Sequence, residues 1–206
     1  MCNSQIDMSA PRALLQKLRP AETALFLCDL QEKFRPSIQY FPQIVQVARR
    51  LTEGAHILDM QILATEQYPK GLGKTVAELD VEKFGIKPVD KTKFSMCVPP
   101  LTEQLQSGVK SIVICGIEAH VCVYQSVLDF LAKDYQVHVV VDATSSRALP
   151  DRFYAFKQME RAGAILTTSE CVLLSLVGGS DHPKFKQVQG LIKESAPDTG
   201  LLQFKL

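Results

Sequence analysis

The feature that most constrains this chain is a repeated alternation of short apolar runs with segments of helical period. Residues 109–115, continued by Gly116-Ile117, are apolar nearly throughout, as a strand buried on both faces must be. Glu118-Ala119-His120-Val121 follows, and Cys122-Val123 begins a helical pattern. The same order recurs along the chain. Runs at 23–28, 61–65, 86–89, 136–141 and 164–167 read as further strands, six in all. Residues 42–60 carry Ile44, Val45, Val47, Ala48, Leu51, Ala55, Ile57 and Leu58 at helical spacing. Residues 100–106 open on proline, as a helix can. Residues 121–133 and 150–162 read as helices, the second stopped by Gly163. Ser169 reads as the cap of a helix carrying Val172, Leu173, Leu176 and Val177, and 184–193 as a last short helix. Residues 66–80, with Pro69, Gly71 and Gly73, read as a loop.

Strands separated by helices imply a parallel sheet covered on both faces. The 206 residues suffice for one such domain with a complete core. No repeat, low-complexity tract or linker divides it, so a single domain over 1–206 is expected, with its core at about 20–195.

Charge excludes some partners. The formal net charge is +1 with no long run of one sign, so neither nucleic acid nor an anionic membrane is expected. The apolar runs are too short to span a bilayer. Residues 1–20 lack the apolar core of a secretory signal. Arg12, Lys17 and Arg19 make that segment weakly basic, which suits an ordinary ragged terminus better than a transit peptide. Phe204-Lys205-Leu206 ends like a peroxisomal signal, but with too large a first residue. The six cysteines (Cys2, Cys28, Cys97, Cys115, Cys122 and Cys171) include no Cys-x-x-Cys pair, and Cys28 and Cys115 read as inert core. That usage fits a reducing compartment. Cytoplasmic localisation is expected; a mitochondrial or peroxisomal one is compatible.

In an open parallel sheet, ligands bind just past the carboxyl ends of the strands. That rule selects Asp29 after the first strand, Lys91 and Lys93 after the third, and residues 116–122 after the fourth. Cys122 falls in the first turn of a helix, where unpaired N–H groups and a partial positive charge favour thiolate. A thiol there can be a nucleophile. It can equally be one more buried small residue, and local context leaves both readings open.

Leu27-Cys28-Asp29-Leu30-Gln31, Lys91-Thr92-Lys93-Phe94-Ser95-Met96, Gly116-Ile117-Glu118-Ala119-His120-Val121-Cys122-Val123 and Val139-Val140-Val141-Asp142-Ala143 occur in order. Together these segments resemble the isochorismatase-like, or cysteine hydrolase, superfamily, which includes nicotinamidases, N-carbamoylsarcosine amidase and ureidoacrylate amidohydrolases. The resemblance runs from about Thr23 to Thr168. Thr65-Glu66-Gln67-Tyr68-Pro69 is similar to the animal isochorismatase domain-containing proteins.

The resemblance implies a Rossmann-like three-layer α/β/α sandwich with a six-stranded parallel sheet. It implies Cys122 as nucleophile, Asp29 as proton shuttle and Lys91 as the cation holding the thiolate. Backbone N–H groups of Glu118 and Cys122 would bind the oxyanion, with a cis peptide at Ile117–Glu118. Gln31, Glu66, Tyr68, Phe94 and His120 are candidates for substrate contact, although Gln31 and His120 also suit structural roles. Lys93 is the nearer rival to Lys91. Asp142 reads as structural, and His56, His138 and His182 lack ligand spacing.

Departures from the pattern narrow the chemistry. The Asp-x-His stretch by which nicotinamidases bind a metal is replaced by Glu66-Gln67-Tyr68-Pro69, so no metal and no cofactor are expected. Cys122 argues against vinyl-ether hydrolysis, the reaction of true isochorismatases. The usual Thr-Asp before the cysteine segment is replaced by Glu118-Ala119-His120, which sets a carboxylate beside the oxyanion site. Two classes remain. One is a metal-independent amidohydrolase acting on a small amide or carbamoyl compound through a Cys122 thioester. The other is a binding or scaffold protein that keeps the fold with little turnover. The intact Asp29, Lys91 and Cys122 favour the first. The family commonly forms homo-oligomers, and Leu201-Leu202-Gln203-Phe204 could serve an interface or fold back on its own domain.

Overall fold

The computed structural model describes residues 17–201; Cys2, Arg12 and residues 202–206, weighed above, lie outside the described residues. Six strands form one sheet: β1 (Thr23–Cys28), β2 (Gln61–Gln67), β3 (Val89–Lys91), β4 (Ser111–Ile117), β5 (Gln136–Ser145) and β6 (Ile165–Thr167). Their order is β3-β2-β1-β4-β5-β6, and every neighbouring pair is parallel. Strand order therefore reverses between β1 and β4. That point is where the carboxyl edge of such a sheet opens a crevice.

Helices cover both faces, as the alternation predicts. They are α1 (Phe41–Ile57), α2 (Pro69–Leu72), α3 (Pro99–Thr102), α4 (Tyr124–Leu131), α5 (Leu149–Arg161), α6 (Ser169–Val177) and α7 (Phe185–Ile192). The period-2 pleat divides β1 between two apolar layers. Leu25 and Leu27 pack with Ile44, Val47 and Leu51 of α1 and Val172 and Leu173 of α6. Ala24, Phe26 and Cys28 face the opposite layer, with Cys122, Val127 and Phe130 of the α4 region and Phe156 and Met159 of α5. Among the described residues, no helix is long and apolar enough to cross a membrane.

Some boundaries differ from expectation where the pattern is weak. The third strand is Val89–Lys91, not 86–89. It is a short edge strand, paired only to β2, and its Asp90-Lys91 gives apolar periodicity nothing to mark. Ile86 instead closes a turn, its N–H donating to the Val81 carbonyl, and its side chain joins the core. The second strand runs two residues further, to Gln67, and α2 lies in the expected loop. The helix expected at 100–106 shrinks to Pro99–Thr102. Thr168, not Ser169, caps α6: its hydroxyl accepts the Cys171 N–H at 3.4 Å. After β4 the chain makes a π-type turn over Ala119–Val123 before α4 begins.

Candidate active site

Asp29 follows β1 directly and has φ 51°, a left-handed conformation that aspartate tolerates better than most residues. Its carboxylate is fully buried. One oxygen, Oδ1, accepts the Thr65 hydroxyl at 2.8 Å. The other, Oδ2, accepts the Lys91 ammonium at 2.7 Å and lies 3.7 Å from the Cys28 thiol, which donates to it. Thr65 can do this because β1 and β2 pair Cys28 with Thr65.

Lys91 ends β3 rather than following it, and its side chain is buried. Four acceptors surround the ammonium: Asp29 Oδ2 and Gln67 Oε1 at 2.7 Å, the Phe94 carbonyl at 2.8 Å and the Lys93 carbonyl at 3.2 Å. Burial alone would favour the neutral amine. The acidic groups of Cys28, Asp29 and Cys122 outweigh it, and the Lys91 pKa is raised. Lys91 therefore stays charged across the neutral range. Lys93 meets this centre only through its backbone carbonyl.

On the far side of the reversal point stands Cys122, 6% exposed. Gly116 governs the approach of β4 to β1. It has φ 122°, and a Cβ there would sit 2.1 Å from the Cys28 carbonyl oxygen, so only glycine fits. Beyond it the Ile117–Glu118 peptide is cis. The N–H groups of Val121 and Val123 both donate to the Glu118 carbonyl, and the Cys122 amide lies between them in the turn. Glu118 is buried, and its charge is answered. Oε2 accepts the Arg147 N–H at 3.0 Å, and Oε1 lies 3.3 Å from Arg147 Nε.

Cys122 borders a cleft of about 760 Å³. Tyr68 and Phe94, both about half exposed, stand on its walls with Phe34, Gln67 and Glu118, and Lys33 and Arg147 add positive charge. Gln31 and Glu66 are both buried and serve the loop behind the cleft. The Gln31 amide donates to the Gln67 and Gly73 carbonyls and accepts the Gln67 N–H. Glu66 accepts Lys74 Nζ and both the N–H and hydroxyl of Thr75. His120 points to Ser146, 3.0 Å from its hydroxyl, and its Nε2 lies 3.9 Å from Asp151.

Three neighbours of this centre escaped sequence reasoning. Gln67 was hidden because the second strand was ended at Thr65; in register it stands opposite Lys91. Arg147 follows β5, which runs past Val141 to Ser145. Cys28 is core by its burial but not inert, since its thiol donates to Asp29. Burial, the Cys122 side chain and the neighbouring Asp29 carboxylate push its thiol well above the ordinary range. Among the described residues, no group of three or more His, Cys, Asp or Glu gathers as a metal site.

The Isochorismatase domain family matches residues 23–171. Mouse isochorismatase domain-containing protein 2A is 54% identical over 197 residues, covering 95% of this chain and 94% of its own. The human isochorismatase domain-containing protein 2 is 52% identical over 197 residues, covering 95% of each chain. A solved structure described as the MAR1 ribonuclease of Caenorhabditis elegans superposes with a TM-score of 0.88. It is 56% identical, over 93% of this chain and all of that one.

Proposed function

The chain belongs to the isochorismatase family, and we propose that it is a hydrolase in which Cys122 attacks the carbonyl of a small amide or carbamoyl-type substrate. One observation carries the reading: a buried ammonium, Lys91, is locked to a buried carboxylate, Asp29, at the sheet reversal beside a cleft that exposes a thiol. A scaffold needs no such pair, because a buried ion pair contributes little net stability.

The steps follow from the residues. Asp29 takes the Cys122 proton while Lys91 offsets the thiolate charge. The thiolate adds to the carbonyl carbon, and the oxyanion is received by the N–H groups of Glu118 and Cys122. The C–N bond breaks, the amine leaves with the proton from Asp29, and a thioester remains. Water then releases the acid and restores the thiol. The mechanism calls on no metal: Thr65-Glu66-Gln67-Tyr68-Pro69 lacks the histidines of a metal-binding relative, and lone Glu66, engaged by Lys74 and Thr75, is a poor site for a transition metal.

Alkylation tests this directly. Iodoacetamide labelling of the whole protein, followed by intact mass from about pH 5 to about pH 9, reads thiolate reactivity. Fast single-site labelling at neutral pH is expected, absent in Cys122→Ala and slower in Lys91→Ala. Labelling of Cys122 no faster than of an ordinary thiol would overturn the covalent mechanism and leave the scaffold reading.

The nematode neighbour's name favours a second reading, ribonuclease activity. Tyr68 and Phe94 could stack bases while Lys33 and Arg147 meet phosphates. A net charge of +1 gives weak electrostatic support for it. Cleavage of a labelled single-stranded RNA that persists in Cys122→Ala but falls in Arg147→Ala would favour it over amide hydrolysis. Self-association is part of the proposal too. Tyr154 and Leu174 stand exposed, and sedimentation would read the mass.

A further inference from the structure

The mechanism above leaves one nucleophilic group unused, and it lies beside the one that is used. Cys28 is the last residue of β1 and has no exposed surface. The pleat turns it toward the layer that also holds Cys122. Across the strands it is opposite Gly116, whose missing side chain lets β4 close on the Cys28 backbone. The chain from Gly116 to Cys122 then folds back through the turn at Ala119–Val123. The Cys122 thiol is among the groups that push the Cys28 thiol up, and the Cys28 thiol donates to Asp29 Oδ2 at 3.7 Å. Two thiols, a carboxylate and an ammonium therefore form one cluster, and of the two thiols only that of Cys122 borders the cleft.

We infer that Cys28 is a resolving thiol: when a hydroperoxide oxidises Cys122, Cys28 captures the product as a Cys28–Cys122 disulfide. This rests on the reading of Cys122 as a reactive thiolate. In the first step the Cys122 thiolate attacks one peroxide oxygen and the O–O bond breaks. Cys122 becomes a sulfenic acid, and the peroxide, reduced by two electrons, leaves as an alcohol or water after taking a proton. In the second, the Cys28 sulfur attacks the sulfenic sulfur and the S–O bond breaks. The Cys28 proton passes by way of Asp29 to the departing hydroxide, which leaves as water. A hydrogen-bonded carboxylate is what this step needs, since a thiol held so firmly protonated is otherwise a slow nucleophile. The disulfide removes the nucleophile reversibly. It also shields it from the sulfinic acid that a lone oxidised cysteine reaches irreversibly. An external dithiol arriving through the cleft meets Cys122 first and restores both thiols.

The test uses the full-length protein treated with graded hydrogen peroxide, then intact mass and non-reducing peptide mapping. Wild type should lose the mass of two hydrogens and yield a peptide pair joined at Cys28 and Cys122. Its Cys122 should stop reacting with iodoacetamide and regain at least about tenfold in labelling rate after dithiothreitol. Cys28→Ala should instead gain two oxygens at Cys122 and stay inactive toward iodoacetamide after the same reductant. If wild type alkylates rapidly at Cys122 yet gains two oxygens there as the variant does, the resolving role is wrong and the nucleophile reading stands. If Cys122 in wild type neither alkylates nor oxidises, both fail. The wild-type peptide map decides the matter even if Cys28→Ala does not fold.

Discussion

Two buried carboxylates of the sheet, Asp29 and Asp142, show what separates a reactive centre from a structural one. Both are almost fully buried, Asp29 just past the end of β1 and Asp142 within β5, where the register between β4 and β5 shifts. Asp142 Oδ1 accepts the Ser169 N–H at 2.8 Å, and Oδ2 accepts the Ser169 hydroxyl at 2.6 Å. Its donors are fixed groups at the start of α6, and they have no reason to exchange protons. Asp29 meets an ammonium and a thiol as well as a hydroxyl. Those donors change charge or can give up a proton, and the cleft opens beside them. Arg152 extends the contrast on the Asp142 side. It is fully buried with its guanidinium on the Thr199 and Val141 carbonyls, so a cation there fastens backbone rather than activating a side chain. Burial of charge is common to both regions. Asp142 also acts on a thiol, that of Cys115, but Cys115 has no exposed surface, and of these two thiols only Cys122 borders the cleft.

The sharpest way to break this contrast is Cys122→Ala. It should abolish fast alkylation and any thioester formed on a small amide, while leaving the chemical-denaturation midpoint within the range of a single small cavity. Residual amide hydrolysis at the wild-type rate would remove the distinction between the two carboxylates. Lys91→Ala comes next. It strands the Asp29 carboxylate in a buried site, and breaking one partner of such a pair costs about 3–5 kcal/mol. A urea titration should show that loss together with slower alkylation of Cys122. A stable variant with unchanged labelling would mean that Asp29 is no more coupled than Asp142.

The sheet and its layers were legible because β1, β4 and β5 lie in the interior of the sheet and are buried on both faces, which writes continuous apolar runs. The strand-end rule pointed to Asp29 and to residues 116–122 for the same reason, since these follow the strongly apolar β1 and β4. Lys91 fell under the rule although its strand was drawn at 86–89, because it lies only two residues beyond that range. Polar or marginal elements were less legible. The edge strand β3 is Val89-Asp90-Lys91, and its pairing, not its pattern, makes it a strand. Gln67 and Cys28 were missed because their importance lies in what stands across from them. A glutamine reads alike whether it faces water or an ammonium. An apolar strand position likewise conceals a thiol pointed at the nucleophile.

His138 offers a pH test confined to the Asp142 side. Burial lowers its pKa from 6.5 to about 4. The folded protein keeps the ring neutral, whereas the unfolded chain protonates it near its ordinary value. Below about pH 6.5 the unfolded state thus binds the extra proton, and stability falls until the folded ring also protonates near about pH 4. That span corresponds to roughly 3 kcal/mol. Denaturation of His138→Gln should lose less stability than wild type between neutral pH and about pH 4.5, with alkylation of Cys122 unaffected at neutral pH. An identical acid loss in both proteins would assign it to the carboxylates instead.

The smallest effect is expected at Asp142 itself. Asp142→Ala removes both acceptors of Ser169 and leaves a buried N–H and hydroxyl at the start of α6 without partners, a cost of about 1–3 kcal/mol. Thr168 still caps the helix through the Cys171 N–H, which keeps the loss toward the lower part of that range. Thermal unfolding should therefore shift down while the pH profile of Cys122 alkylation stays superimposable on wild type. Asp29→Ala should do the reverse in kind. The profile should change, because the group that orders Lys91 and accepts from Cys28 is gone. If Asp142→Ala moved the alkylation profile as well, the two ends of the sheet would be coupled through β4 and β5, and the division between a structural and a reactive carboxylate would be one of degree.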